Sequence, residues 1–183
     1  MRVITGAAKG RRLKTLEGLD VRPTSDMVKE AIFSVIRFDL EGANVLDLFS
    51  GSGQLGIEAL SGGAKSCRFV DSSRASLDIT RENVVHCGLE NMATMTLSDG
   101  VDFIRNARIP FDIIFLDPPY GKGLIEKVMP FAGEKISDRG IAVCEHEKGL
   151  CLPEDFGKLK RSKVYRYGKT EVTVFRTASD EII

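Results

Sequence analysis

Apolar and polar positions alternate in two rhythms along this chain. Short blocks rich in apolar residues occur at 44–49 (Asn44-Val45-Leu46-Asp47-Leu48-Phe49), 66–70, 92–97, 111–116 and 140–145. Runs of this length, bounded by Gly, Ser, Asp or Pro, read as buried strands. Between them the spacing is helical. Val28, Ala31, Ile32, Val35 and Ile36 predict a helix over 25–38 with one apolar face. Thr24, Ser25 or Asp26 is available as its N-cap. Further helices are expected from Ile57 and over 73–87, 102–107 and 123–134. Five strands separated by helices imply βαβ units and a parallel sheet covered on both faces. The two ends break the rhythm. Val3-Ile4 and Arg12-Leu13, flanking Gly6 and Gly10, predict a small N-terminal hairpin. Lys160–Tyr167 and Thr170–Thr177, around Gly168-Lys169, predict an antiparallel hairpin that closes the sheet. The expected architecture is α/β: a mostly parallel seven-stranded sheet over 23–183, preceded by a basic hairpin extension at 1–22.

Composition narrows the class. A chain of 183 residues can bury a core without disulfides or metal. Hydrophobic residues make up 43% and charged residues 28%, which excludes a mainly disordered or fibrous chain. No run of 18 apolar residues occurs, so no transmembrane helix is expected. Met1 to Gly6 lacks the apolar stretch of a signal peptide, and a cytoplasmic protein is expected. Cys67, Cys87, Cys144 and Cys151 form no C-x-x-C pair, and His86 and His146 complete no zinc spacing. The cysteines read as reduced thiols acting as small hydrophobes, with no metal. Net charge is zero but uneven: +4 over 1–22, −8 over 23–155 and +6 over 156–176. Basic ends around an acidic centre fit either a polyanion partner or solvated hairpin faces.

The chemistry gathers at strand ends, where ligands bind in open α/β sheets. Asp47, Asp71, Asp99 and Asp117 each sit at or next to the end of an apolar run. One aspartate is an ordinary cap or turn residue; four on one rim are costly unless a ligand uses them. Asp47-Leu48-Phe49-Ser50-Gly51-Ser52-Gly53-Gln54-Leu55-Gly56 also contains G-x-G-x-x-G, a weak dinucleotide signature by itself. A pyrophosphate gains nothing from the carboxylate ahead of those glycines. A cofactor with a cationic amino-acid end does, and S-adenosylmethionine has one. Asp71 could then accept from ribose hydroxyls and Asp99 from an adenine amino group. After the fourth strand, Asp117-Pro118-Pro119-Tyr120 ends the ladder, because neither proline has an N–H. A carboxylate, a free carbonyl and an aromatic ring suit a planar amine, with Tyr120 stacking on a base.

Asp47–Gly56 together with Asp117–Tyr120 resembles the class I S-adenosylmethionine-dependent methyltransferases, specifically those that methylate amino groups. Arg2-Val3-Ile4-Thr5-Gly6, Lys9-Gly10-Arg11-Arg12-Leu13, Arg22-Pro23-Thr24-Ser25-Asp26 and Lys29-Glu30-Ala31-Ile32-Phe33 narrow this to the RsmD-type family. The resemblance covers 1 to about 176. It implies a Rossmann-like methyltransferase fold and methylation of a guanine N2 amino group in 16S rRNA of the small ribosomal subunit. It further implies that Asp47, Phe49, Gly51, Ser52, Gly53, Asp71, Ser72, Asp99 and Gly100 hold the cofactor. Asp117, Pro118, Pro119 and Tyr120 would hold the target base. Lys9, Arg11, Arg12, Arg22 and Thr24 would meet RNA, such phosphate contacts positioning rather than specifying. One departure is Asp71, where many relatives carry Glu. The competing readings are a DNA adenine-N6 or cytosine-N4 methyltransferase, for which 183 residues leave no obvious DNA-reading domain; a nucleotide-dependent oxidoreductase, which Asp47 opposes; and a non-catalytic RNA-binding protein, which the intact cofactor motif opposes.

Overall fold

The computed structural model describes residues 1–15 and 26–177. Five strands, β1 (Asn44–Leu48), β2 (Ser66–Asp71), β3 (Ala93–Leu97), β4 (Phe111–Leu116) and β5 (Ile136–Glu147), run parallel in the order β3-β2-β1-β4-β5. Beyond β5 the sheet continues antiparallel through β8 (Thr170–Thr177), β7 (Leu159–Tyr167) and β6 (Asp155–Phe156). The sheet therefore has eight strands, one more than the sequence predicts. The extra strand is β6, whose two residues pair with Lys160 and Leu159 around a turn at Gly157. Two residues are too few to show a period-two pattern.

Each strand sends alternate side chains to opposite faces. Helices α1 (Asp26–Val35), α2 (Gln54–Ser61) and α3 (Arg74–Cys87) cover one face. There Ile32, Phe33, Leu55, Ile57 and Leu77 join Val45, Phe69, Ile113 and Phe115 in one core. Helices α4 (Gly100–Asn106) and α5 (Leu124–Lys135) cover the other, where Ile104, Val128 and Met129 join Leu46, Leu48, Ile114 and Leu116. The interior strands are buried on both faces, which is why they read as continuous apolar runs. Among the described residues no helix is long and apolar enough to cross a membrane. Cys67, Cys87 and Cys144 are buried, Cys151 is exposed, and all four are free thiols.

The N-terminal segment folds back on itself through one antiparallel bridge, Arg2–Arg12. The Val3 N–H donates to the Arg11 carbonyl (2.9 Å), and the Gly10 N–H to the Val3 carbonyl (2.8 Å). Its apolar residues Val3, Ala8 and Leu13 lie in the same core as α1 and α2. Gly6 lets this segment touch the end of α2. A Cβ at Gly6 would stand 1.6 Å from the Ser61 carbonyl oxygen, and its φ is +73°. The Ser61 hydroxyl completes the seam, accepting from the Ala8 N–H (2.9 Å) and donating to the Thr5 carbonyl (2.6 Å).

Candidate active site

Strand order reverses between β1 and β4, which are hydrogen-bonded neighbours with Leu48 opposite Leu116. The loop after β1 and the Asp117–Tyr120 turn after β4 therefore emerge side by side on the carboxyl rim of the sheet. This is the position where open α/β sheets bind ligands.

The first loop is tightly tied from below. The Gly51 N–H donates to Asp71 Oδ2 (2.9 Å). The Gly51 carbonyl accepts from Thr80 Oγ1 (2.9 Å) and the Ser52 carbonyl from Asn83 Nδ2 (2.9 Å). Gly51 and Gly53 take left-handed φ values of 54° and 79°. Phe49 does so as well (φ 72°), at a steric cost that the surroundings must impose. Its ring lies over Gly100, where a Cβ would come within 2.5 Å of Cε1. Two polar atoms here, Ser50 Oγ in the loop and Gln54 Oε1 in the first residue of α2, are buried and make no hydrogen bond. A side chain at Gly51 would enter open space. Orphaned polar atoms thus bracket, in the chain, a glycine turn whose Gly51 faces open space, and a bound polar group is one way to complete them.

The four aspartates occupy different settings. Asp47 is 2% exposed, and its Oδ2 accepts the Gly56 N–H (2.9 Å) in the first turn of α2. Burial, reinforced by the neighbouring Asp71 charge, pushes its carboxyl up to about 7 against the pull of that N–H. Asp71 accepts from Gly51 through Oδ2 and from the Ser73 N–H through Oδ1 (2.8 Å), with Ser72 exposed beside it. Each of its oxygens keeps a second lone pair. Asp99 caps α4, accepting the Asp102 N–H (3.0 Å), and is exposed. Asp117 is half-buried at the end of β4, followed by buried Pro118 and exposed Pro119.

Tyr120 is anchored by its tip. Its hydroxyl lies 3.3 Å from Glu145 Oε1 and 3.2 Å from Thr170 Oγ1. The ring is still 38% exposed. Burial of the hydroxyl, with Glu145 and Asp117 nearby, pushes its pKa up to about 12, so it stays protonated. The Gly121 N–H donates to Glu147 Oε1 (3.0 Å). Glu145 and Glu147 at the end of β5 thus hold the turn that follows β4. The sequence reading passed over both. Their signal was two carboxylates at a fifth strand end, Glu145-His146-Glu147, in line with the other four.

The predicted RNA contacts do not gather with these residues. Lys9 and Arg12 are exposed on the N-terminal segment, which sits on the far ends of α2 and α3. The Arg11 guanidinium donates to the His86 carbonyl in the last turn of α3. One turn earlier, the Asn83 amide donates both to the Lys14 carbonyl (3.0 Å) and to the Ser52 carbonyl of the glycine loop (2.9 Å), so the segment approaches that loop from the α3 side and not from the β4 turn. Arg22 and Thr24 lie outside the described residues.

Known proteins share both sequence and fold with this chain. It is 38% identical over 181 residues, 96% of this chain and 98% of the other, to a Bacillus subtilis protein provisionally named rRNA methyltransferase YlbH. It is 32% identical over 168 residues, covering 87% of this chain and 86% of the other, to ribosomal RNA small subunit methyltransferase D of Haemophilus influenzae. The solved Escherichia coli protein yhhF, provisionally named a methyltransferase, superposes with a TM-score of 0.87 at 26% identity over 97% of both chains. The chain matches the family described as conserved hypothetical protein 95 over residues 1–176, and with these relatives it belongs to that family, of the RsmD type.

Proposed function

We propose that this protein methylates the exocyclic N2 amino group of a guanine in 16S rRNA, using S-adenosylmethionine. The observation that carries the reading is the adjacency of the β1 glycine loop and Asp117–Tyr120 on paired strands. The names of its relatives point to rRNA of the small subunit.

The glycine loop fits the cofactor. Ser50 Oγ and Gln54 Oε1 lack partners there, and Gly51 leaves room. Asp47 supplies negative charge beneath the loop, Gly51, Ser52 and Gly53 present backbone, and Phe49 packs on Gly100 beside Asp99. Asp71 and Ser72 offer acceptors for ribose hydroxyls. The cofactor supplies an electrophilic methyl group on a sulfonium. The chain supplies orientation. Asp117 and the Pro118 carbonyl accept the two N–H bonds of the guanine amino group, keeping its nitrogen lone pair directed at the methyl. Tyr120, held by Glu145 and Thr170, stacks on the base. Such positioning is worth about 7–11 kcal/mol of barrier in favourable cases. Lys9 and Arg12 then serve as phosphate contacts for RNA beyond the target base.

The deciding experiment incubates the protein with methyl-labelled cofactor and small ribosomal subunits from cells lacking this activity. Label recovered in N2-methylguanosine is the expected result. Label in another nucleoside overturns the guanine target and keeps the methyl transfer.

Asp47 makes cofactor binding depend on pH. Its raised carboxyl holds a proton below about 7, and an ammonium group favours the ionised form. Cofactor affinity measured by calorimetry should therefore fall as pH drops from 7 to 6, by up to about tenfold per unit. Asp47→Asn should flatten this dependence. Without ligand the sign is opposite. The stability of the neutral carboxyl is present below its ordinary value of 3.8 and is lost as pH rises through about 7.

A further inference from the structure

All three tyrosines of this chain, Tyr120, Tyr165 and Tyr167, belong to one face of the sheet. Strand pairing shows this directly. Glu145, Val172 and Tyr165 form one cross-strand row over β5, β8 and β7; Glu147, Thr170 and Tyr167 form the next. The Tyr120 hydroxyl bonds to Glu145 in the first row and Thr170 in the second. A half-exposed aromatic surface therefore runs from the base-facing turn outward along β7. Tyr165 and Tyr167 stand two positions apart, about 7 Å along the strand. The Lys163 ammonium sits 5.2 Å from the centre of the Tyr165 ring.

The cations of this hairpin fall into two groups. Lys158, Arg161, Arg166 and Arg176 are paired with Asp138, Glu154, Glu171 and Asp39. Lys160, Lys163 and Lys169 are exposed and, among the described residues, make no ion pair. Unpaired lysines beside half-exposed aromatic rings, here packed against the core by one side, are the chemistry of single-strand binding: π faces for bases, ammonium groups for phosphates.

We propose that Tyr167, Tyr165 and Lys163 form a platform for the single-stranded RNA next to the target guanine. Tyr167 stacks on a flanking base. Tyr165 holds Lys163 in place, and Lys163 and Lys169 take backbone phosphates. The platform is continuous with Tyr120, so this inference rests on the target base lying at Asp117–Tyr120. It adds that the substrate is an unpaired strand. A duplex would keep its bases stacked on each other and could not use these rings.

The test is fluorescence anisotropy of the full chain with a labelled single-stranded RNA of about a dozen nucleotides, beside a duplex of equal length. Tyr167→Leu should weaken single-strand binding about tenfold and leave duplex binding unchanged. Tyr167→Phe, which keeps the ring, should bind like the unaltered protein. Lys163→Gln should lower the salt slope by about one contact. Unchanged S-adenosylmethionine affinity in each variant shows that the fold is intact. Equal single-strand affinity of Tyr167→Leu and the unaltered protein would overturn the platform, as would no strand binding at all. The base-facing role fails separately: platform variants that weaken RNA binding, with label never reaching guanosine, would remove the guanine reading and leave the platform.

Discussion

Replacing Asp117 with alanine is expected to cut methyl transfer by about 100- to 10,000-fold while S-adenosylmethionine affinity stays within about twofold of the unaltered protein. In the proposed site Asp117 and the Pro118 carbonyl are the acceptors for the amino group, and Pro118 and Pro119 have no N–H to compete with it. Losing the carboxylate leaves one acceptor for two N–H bonds, so the amino group is no longer directed at the methyl. Asparagine keeps one neutral acceptor, its Oδ1, and should retain part of the transfer that alanine loses. The cofactor loop is held independently. Its supports run from Gly51 to Asp71 and Thr80, from Gly56 to Asp47 and from Ser52 to Asn83. None passes through the β4 turn. Single-turnover transfer and calorimetric cofactor binding read the two effects separately. Transfer within tenfold of the unaltered protein would remove Asp117 from the chemistry. A parallel loss of cofactor affinity would make it part of the cofactor site.

What could be read in advance depended on how local its cause was. β1 and β4 are short apolar runs ending in motif residues, so strand, strand end and site came together in one stretch of sequence. The glycine loop was legible for the same reason. Phe49 shows the limit: nothing in its identity announces a left-handed φ, which the bonds of Phe49 and Ser50 to the Val70 carbonyl impose. The carboxylates of Glu145 and Glu147 mark a fifth strand end, but what Glu145 holds is settled only when β5 lies beside β4 and β8. The charge arithmetic left a polyanion partner and solvated hairpin faces open, and the ion pairs show what it could not count. The +6 of 156–176 counts neighbours in sequence, but Asp138, Glu154 and Asp39 come from elsewhere to neutralise Lys158, Arg161 and Arg176. The basic N-terminus reads in the sequence as a hairpin extension, with no sign of what its apolar residues pack against. Those residues are core, and the segment is fastened by groups more than fifty positions away.

The strongest of those fastenings is the ion pair Lys29–Glu58, and breaking it from one side should cost about 3–5 kcal/mol. Both side chains are fully buried, with Nζ 3.2 Å from Oε1. Each also grips the N-terminal segment. Lys29 Nζ donates to the Arg2 carbonyl (2.7 Å), and Glu58 Oε1 accepts from the Ile4 N–H (2.8 Å). Lys29→Met removes the cation and leaves Glu58 buried with the Ile4 and Thr5 N–H groups and the Thr5 hydroxyl. Burial already pushes the Glu58 carboxyl above its ordinary value, and loss of Lys29 pushes it further. A carboxyl raised in the folded state favours folding at low pH and loses that contribution as pH rises. The deficit of Lys29→Met should therefore be larger at pH 8 than at pH 5. Combining it with Glu58→Gln, which keeps an acceptor for the Ile4 N–H, should cost less than the sum of the two single changes. Urea unfolding of the four proteins gives the coupling. Amide exchange should locate it, with residues 1–15 opening first in Lys29→Met and the sheet protected as before. Additive losses, or uniform exchange across the chain, would mean that the pair does not hold this segment. Selective release would separate fastening from chemistry: methyl transfer to a short RNA should survive, while binding that depends on Lys9 and Arg12 should weaken.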